Sequence, residues 1–141
     1  MGSSRDFDFW LGEWRVTWDE GRAQGRNSIV REYGGNVVYE RFDGRPGIDL
    51  LVMSVSVYRE AVDRWFQTWV DDSGNYFTLQ GGMEDGEMIL LGEQSGPRGR
   101  VSLRMRFSDI EDERFTWRWE SSKDDGATWE SLWELTYERA S

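Results

Sequence analysis

The sequence predicts an all-β fold of about ten antiparallel strands, closed as an up-and-down barrel behind a short N-terminal plug. Three observations carry this. Segments of two-residue apolar alternation recur along the 141 residues, separated by turn-forming clusters at regular intervals. No useful window shows a 3.6-residue apolar period. Most of the nine tryptophans form evenly spaced pairs: Trp14 with Trp18, Trp65 with Trp69, Trp117 with Trp119, Trp129 with Trp133. Even spacing in an extended strand puts both rings of a pair on one face.

The elements follow in order. Asp6-Phe7-Asp8-Phe9-Trp10-Leu11 does not alternate. It reads as a helical turn stoppering the barrel with Phe7, Phe9 and Trp10, or as an extended lead-in. Strands are expected near 12–19, 25–33, 36–43, 50–59, 63–70, 75–82, 86–94, 99–107, 113–121 and 127–139. The breaks between them carry turn chemistry, as in Asp19-Glu20-Gly21, Gly34-Gly35-Asn36 and Glu84-Asp85-Gly86. Alternation is cleanest in Trp14 to Trp18, Val101 to Phe107 and Phe115 to Trp119. In the last strand Trp129, Trp133, Leu135 and Tyr137 share one face, opposite Glu130, Glu134 and Glu138. One apolar and one charged face per strand means a sheet wet on one side. Ten such strands must close or fold over to protect their edges. Uniform spacing favours closure; a β-sandwich is the rival arrangement.

Length fits one domain, 1–141, with residues 1–5 disordered or left over from expression. A net charge of −10 argues against nucleic acid and against anionic membrane surfaces. The chain holds no histidine and no cysteine, which excludes disulfides, Ser-His-Asp and Cys-His nucleophiles, zinc–thiolate sites and histidine-bound haem. No metal and no cofactor are expected. No secretory signal or membrane-spanning stretch is visible, so a cytoplasmic protein is expected, as a monomer or a homodimer.

Two motifs have structural readings. Gly12-Glu13-Trp14 matches the short Gly-x-Trp signature that opens the first strand of lipocalins. Ser122 to Trp129 matches the Asp-box of sialidase propellers, in which Asp124 accepts backbone N–H bonds, Gly126 takes positive φ and Trp129 packs back on the hairpin. The box occurs once and no blade-length repeat exists, so it reads as a hairpin staple and not as a glycosidase mark.

Phe7 to Trp14, Trp65 to Asp71, Leu79-Gln80-Gly81-Gly82 and Trp119 to Trp129 together resemble a bacterial family of calycin-like (lipocalin-like) barrel domains. The resemblance implies the barrel but no reaction, since fold does not fix function. It also implies that Arg139, from the final strand, covers Trp14 at the closed end.

Trp65-x-Gln67-x-Trp69 is the motif expected to line a cavity. Two indoles flanking an amide supply aromatic walls and one orienting group, the usual makeup of a small-molecule pocket. Alternatively, Gln67 simply bonds a neighbouring strand residue such as Ser131 or Tyr39. Alternation adds Trp117, Trp119, Trp133 and Tyr137 to the lining, with Tyr39 and Arg41 from the third strand. Arg100, Arg104 and Arg106 share the opposite face of their strand from Val101, Leu103, Met105 and Phe107, which reads as a solvated exterior or, in reversed register, an internal anion site.

The expected function is binding of a small hydrophobic or aromatic molecule in the Trp-lined cavity. The alternative is a cofactor-independent enzyme, a cyclase or isomerase in a natural-product pathway, holding a reactive conformer in the same space. A barrel filled by its own side chains would support neither.

Overall fold

In the computed structural model, which describes residues 2–140, every long element is a strand. They are β1 (Gly12–Trp18), β2 (Ala23–Glu32), β3 (Val37–Asp43), β4 (Leu51–Arg59), β5 (Arg64–Asp71), β6 (Tyr76–Glu84), β7 (Glu87–Gly96), β8 (Gly99–Ser108), β9 (Arg114–Ser122) and β10 (Glu130–Arg139). Each pairs antiparallel with its sequence neighbours, and β1 pairs with β10 to close the barrel. The expected ten-stranded up-and-down barrel is therefore the observed fold. Among the described residues no helix is long and apolar enough to cross a membrane.

Turn chemistry sets the hairpins. Glu84 pairs with Glu87 across Asp85-Gly86, both at positive φ, which is the twist a two-residue hairpin needs. Asp19 and Glu20 likewise adopt positive φ ahead of Gly21.

The lead-in is a 3-10 turn, Asp8–Trp10, at one end of the barrel. Phe7 and Trp10 are buried beneath it. Phe7 meets Trp65 edge-on at 4.9 Å and Phe107 at 5.4 Å, while Trp10 meets Phe107 at 5.2 Å. Residues 2–5 lie beside this plug: Gly2 O accepts the Tyr58 hydroxyl at 3.1 Å, and Ser3 N–H donates to Asp6 at 2.9 Å. Met1 lies outside the described residues.

Arg139 closes the same end. Its guanidinium lies 4.2 Å from the Trp14 ring centre and donates to Leu11 O at 2.7 Å and Phe9 O at 3.2 Å. Trp14 Nε1 donates to Trp10 O at 2.7 Å, tying the first strand to the plug.

Two faces differ from expectation. In β10 the register shifts between Ser131 and Trp133, a bulge that places Leu132 out of sequence with its neighbours. A bulge reverses the faces beyond it. Trp129 therefore does not share the interior with Trp133; it stacks outside against the Arg104 guanidinium at 4.1 Å. In β3 the buried side chains are Val38, Glu40 and Phe42, so Tyr39 and Arg41 point outward.

Candidate functional site

The barrel interior has two halves. Near the plug it is solid, packed with Phe7, Trp10, Trp14, Trp65, Met88, Leu90, Phe107 and Phe115, all nearly inaccessible. The other end is open. There a recess of about 410 Å³ is lined by Trp69 of β5, Phe77 of β6, Trp117 and Trp119 of β9, and Trp133 of β10. Ile48 and Leu50, from the loop between β3 and β4, form one lip, and Asp71 and Asn75 form another. Trp69 and Trp119 lie nearly parallel at 6.4 Å, as do Trp119 and Trp117 at 6.3 Å. Trp133 stands perpendicular to Trp117 at 6.0 Å. Flat and upright indoles thus form walls of fixed geometry, since each ring is braced by another.

Below the recess lies a void of about 10 Å³, which shares Trp69, Trp117 and Trp133 with it and adds Glu40, Val52, Leu135 and Tyr137. That volume is close to the room one water needs. Around it runs a buried polar cluster. Asn27 Nδ2 donates to Glu40 Oε2 at 2.7 Å and to the Tyr137 hydroxyl oxygen at 2.9 Å. The Ser54 hydroxyl is hydrogen-bonded to Glu40 Oε1 at 2.6 Å. Burial pushes the Glu40 carboxyl above its ordinary value, against the opposing hydrogen bonds from Ser54 and Asn27. Burial also raises the Tyr137 phenol, with the nearby Glu40 adding to the effect. Both groups are therefore held toward their neutral, proton-bearing forms.

The expected lining residues separate by depth. Trp69, Trp117, Trp119 and Trp133 meet in the recess, and Tyr137 lies at the void beneath it. Trp65 belongs instead to the plug, between Phe7 and Tyr58. Gln67 is buried and donates to Ser56 Oγ at 3.0 Å, a partner on β4, not Ser131 or Tyr39. Neither Trp65 nor Gln67 lines the recess. Tyr39 is excluded from the interior by its place on the outer face of β3, beside Arg41 and Met53 in a separate surface groove.

Glu40, Asn27 and Ser54 were not anticipated. The signal for Glu40 was its position between Val38 and Phe42, two apolar residues on one face of β3. Ser54 and Ser56 were obscured because Leu51, Met53, Val55 and Val57 alternate with them and look like the core side. Those four residues face outward and are exposed.

The remaining motifs sit outside the barrel. Asp124 accepts the Thr128 N–H at 2.9 Å and the Ser122 hydroxyl at 2.7 Å, and Gly126 has φ of +90°. Hydrogen bonds from Thr128 and then Ser122 pull the Asp124 carboxyl down to about 2. Arg104 and Arg106 face outward and both bond Glu120, at 2.8 and 3.2 Å. Burial would raise the Glu120 carboxyl, but those two guanidinium partners hold it below its ordinary value. Arg100 pairs with Glu93 at 3.0 Å. The arginine row is thus an external ion-pair network and not an internal anion site.

No family model matches the chain, and no curated protein matches it.

Proposed function

We propose that the barrel binds a small hydrophobic or aromatic molecule in the open recess, and that it is a calycin-like carrier or receptor domain. The observation that carries this is the recess of about 410 Å³ walled by Trp69, Trp117, Trp119 and Trp133. That size lies at the lower end of small-molecule pockets, roughly 300–1,000 Å³. It has room for a two- or three-ring molecule. Braced indoles cost little entropy to bind against, because their rotamers are already restricted.

The calycin-like reading is supported by the plugged end, where Arg139 lies over Trp14 and caps the carbonyls of the lead-in. The enzyme alternative has one supporting observation, the buried Glu40 carboxyl under the recess. Binding requires nothing beyond the walls.

Tryptophan fluorescence tests it. Titration with 2-ethylnaphthalene, an uncharged two-ring probe, is expected to quench emission saturably. Trp119→Ala, which removes one wall, is expected to weaken binding about tenfold or more, the scale of losing one stacked aromatic contact. Absence of saturable quenching, or an unchanged affinity in Trp119→Ala, would overturn the assignment.

A further inference from the structure

The recess has a polar floor, and the hydrogen bonds there leave two groups unused, the Tyr137 O–H, a donor, and Asn27 Oδ1, an acceptor. Asn27 Nδ2 has two hydrogens. One goes to Glu40 Oε2 and the other to the Tyr137 hydroxyl oxygen. Glu40 meets the Ser54 hydroxyl on its other oxygen at 2.6 Å, and it is there, against Ser54 Oγ, that the neutral acid places its own proton. With the amide held this way round, the Tyr137 oxygen is an acceptor from Asn27, and its own O–H must point elsewhere. Among the described residues that O–H donates to no acceptor, although Tyr137 is only 2% exposed. A buried donor without a partner is costly. Tyr137 and Glu40 both border the small void directly beneath the three indoles that it shares with the recess.

We propose that the ligand carries a carbonyl oxygen, as in a two- or three-ring aromatic ketone or enone, and that this oxygen enters the void and accepts the Tyr137 hydroxyl. Asn27 and Glu40 are positioning residues: they turn the phenol so that its hydrogen faces the ligand. The inference rests on the recess being the binding site. Three points favour a carbonyl over an ammonium group. The void of about 10 Å³ has room for about one oxygen-sized atom, as a terminal carbonyl presents. The unused group that borders the void is a donor, which an ammonium, having only hydrogens to offer, cannot accept; Asn27, which carries the unpartnered acceptor Oδ1, is not among the residues lining it. An ammonium there would also have to be balanced by an ionised Glu40, whose burial favours the neutral acid.

The test compares two probes of the same shape, 2-acetylnaphthalene and 2-isopropenylnaphthalene, in which C=O is replaced by C=CH2. The ketone is expected to bind about five- to tenfold more tightly, the worth of one net hydrogen bond. Its infrared carbonyl stretch is expected to fall relative to the same ketone in hexane. Tyr137→Phe should abolish both the preference and the shift while leaving hydrocarbon affinity in place. Glu40→Leu should reduce the preference, because Asn27 loses its anchor. Glu40→Gln should restore it, since its carbonyl can accept from Asn27 and its amide can donate to Ser54. Equal affinity for the two probes, with an unshifted carbonyl, overturns the proposal and leaves the recess standing. Failure of both probes to bind sinks the recess reading and this one with it. Tightest binding of 2-naphthylmethylamine, lost in Glu40→Gln, overturns it in favour of an ionised floor. Near-ultraviolet circular dichroism of each variant checks that the indole packing survives.

Discussion

At Gly12 the backbone enters β1 with φ of +121°, and a Cβ there would lie 2.7 Å from Arg139 Nη1. The glycine of the Gly-x-Trp pattern is therefore needed twice, once for its backbone angle and once for the guanidinium above it. Gly12→Ala is expected to lower stability by about 1–3 kcal/mol in urea denaturation, with the Arg139 contacts displaced. Glu40 makes a different residue-scale prediction. Its folded value lies above the ordinary 4.5, so between those two points the native state keeps a proton that the unfolded chain has released. Its contribution is intact below pH 4.5 and is lost as pH rises through the folded value. Stability of the wild type relative to Glu40→Gln should accordingly fall with rising pH, by at most about 1.4 kcal/mol per unit, and then level off. A difference independent of pH would show that Glu40 is not buried as a neutral acid. Asp124 behaves in the opposite sense. Its value of about 2 means that the staple holds above the ordinary 3.8 and loosens as pH falls through 2.

Strands β3 and β4 show how far alternation can be read. Both faces of β3 are of mixed character, β4 has its more apolar face outward, and the period of two is equally well satisfied with either face inward. What decides is the space left by other strands. Across β4 and β5, Ser54 pairs with Trp69 and Ser56 with Gln67, and Ser54 reaches the Glu40–Asn27–Tyr137 cluster, so small side chains fit there. Ser54 and Ser56 do so, and their hydroxyls also meet Glu40 Oε1 and Gln67 Nε2, two atoms with no other hydrogen-bond partner among the described residues. The apolar side of β4 is pushed out to solvent as a result. In β10 a single bulge had the same effect on Trp129. The hairpin before β10 was legible because its chemistry is local: Ser122, Asp124, Gly126 and Thr128 bond within a span of a few residues. Asp124→Ala is expected to speed hydrogen exchange at the Thr128 amide markedly while leaving the amides of β1 and β2 unchanged. Uniform protection loss across the barrel would mean that the hairpin is no local staple.

Over the whole molecule the interior tryptophans divide between a filled half and an open half, with Trp129 outside the barrel. Trp65 is 2% exposed and packs on the plug, whereas Trp119 is partly exposed at the recess. Opposite outcomes are therefore expected from the same truncation. Trp65→Ala should cost about 3–5 kcal/mol of stability, the usual price of a large core cavity. Trp119→Ala should cost clearly less in stability and mainly affect probe binding. Equal destabilisation by the two would mean that the recess collapses when a wall is removed. Separating the halves in this way lets one end of the barrel supply stability while the other stays open.

By itself the sequence determined the all-β class, the ten strands and the aromatic character of the interior; it favoured closure over a sandwich and left the lead-in as either a plug or an extended arm. The first three are written in local pattern: two-residue alternation, turn residues at the breaks, and indoles placed two or four apart. Only the tertiary structure decided which side of β3 and β4 turns inward, how deep each tryptophan lies, and that Glu40, Asn27 and Tyr137 meet beneath the recess. Those residues come from β2, β3 and β10, and no local spacing links them. Closure of the sheet brings β10 against β1, next to β2, so a hydrogen bond spanning 110 residues becomes a contact between near neighbours.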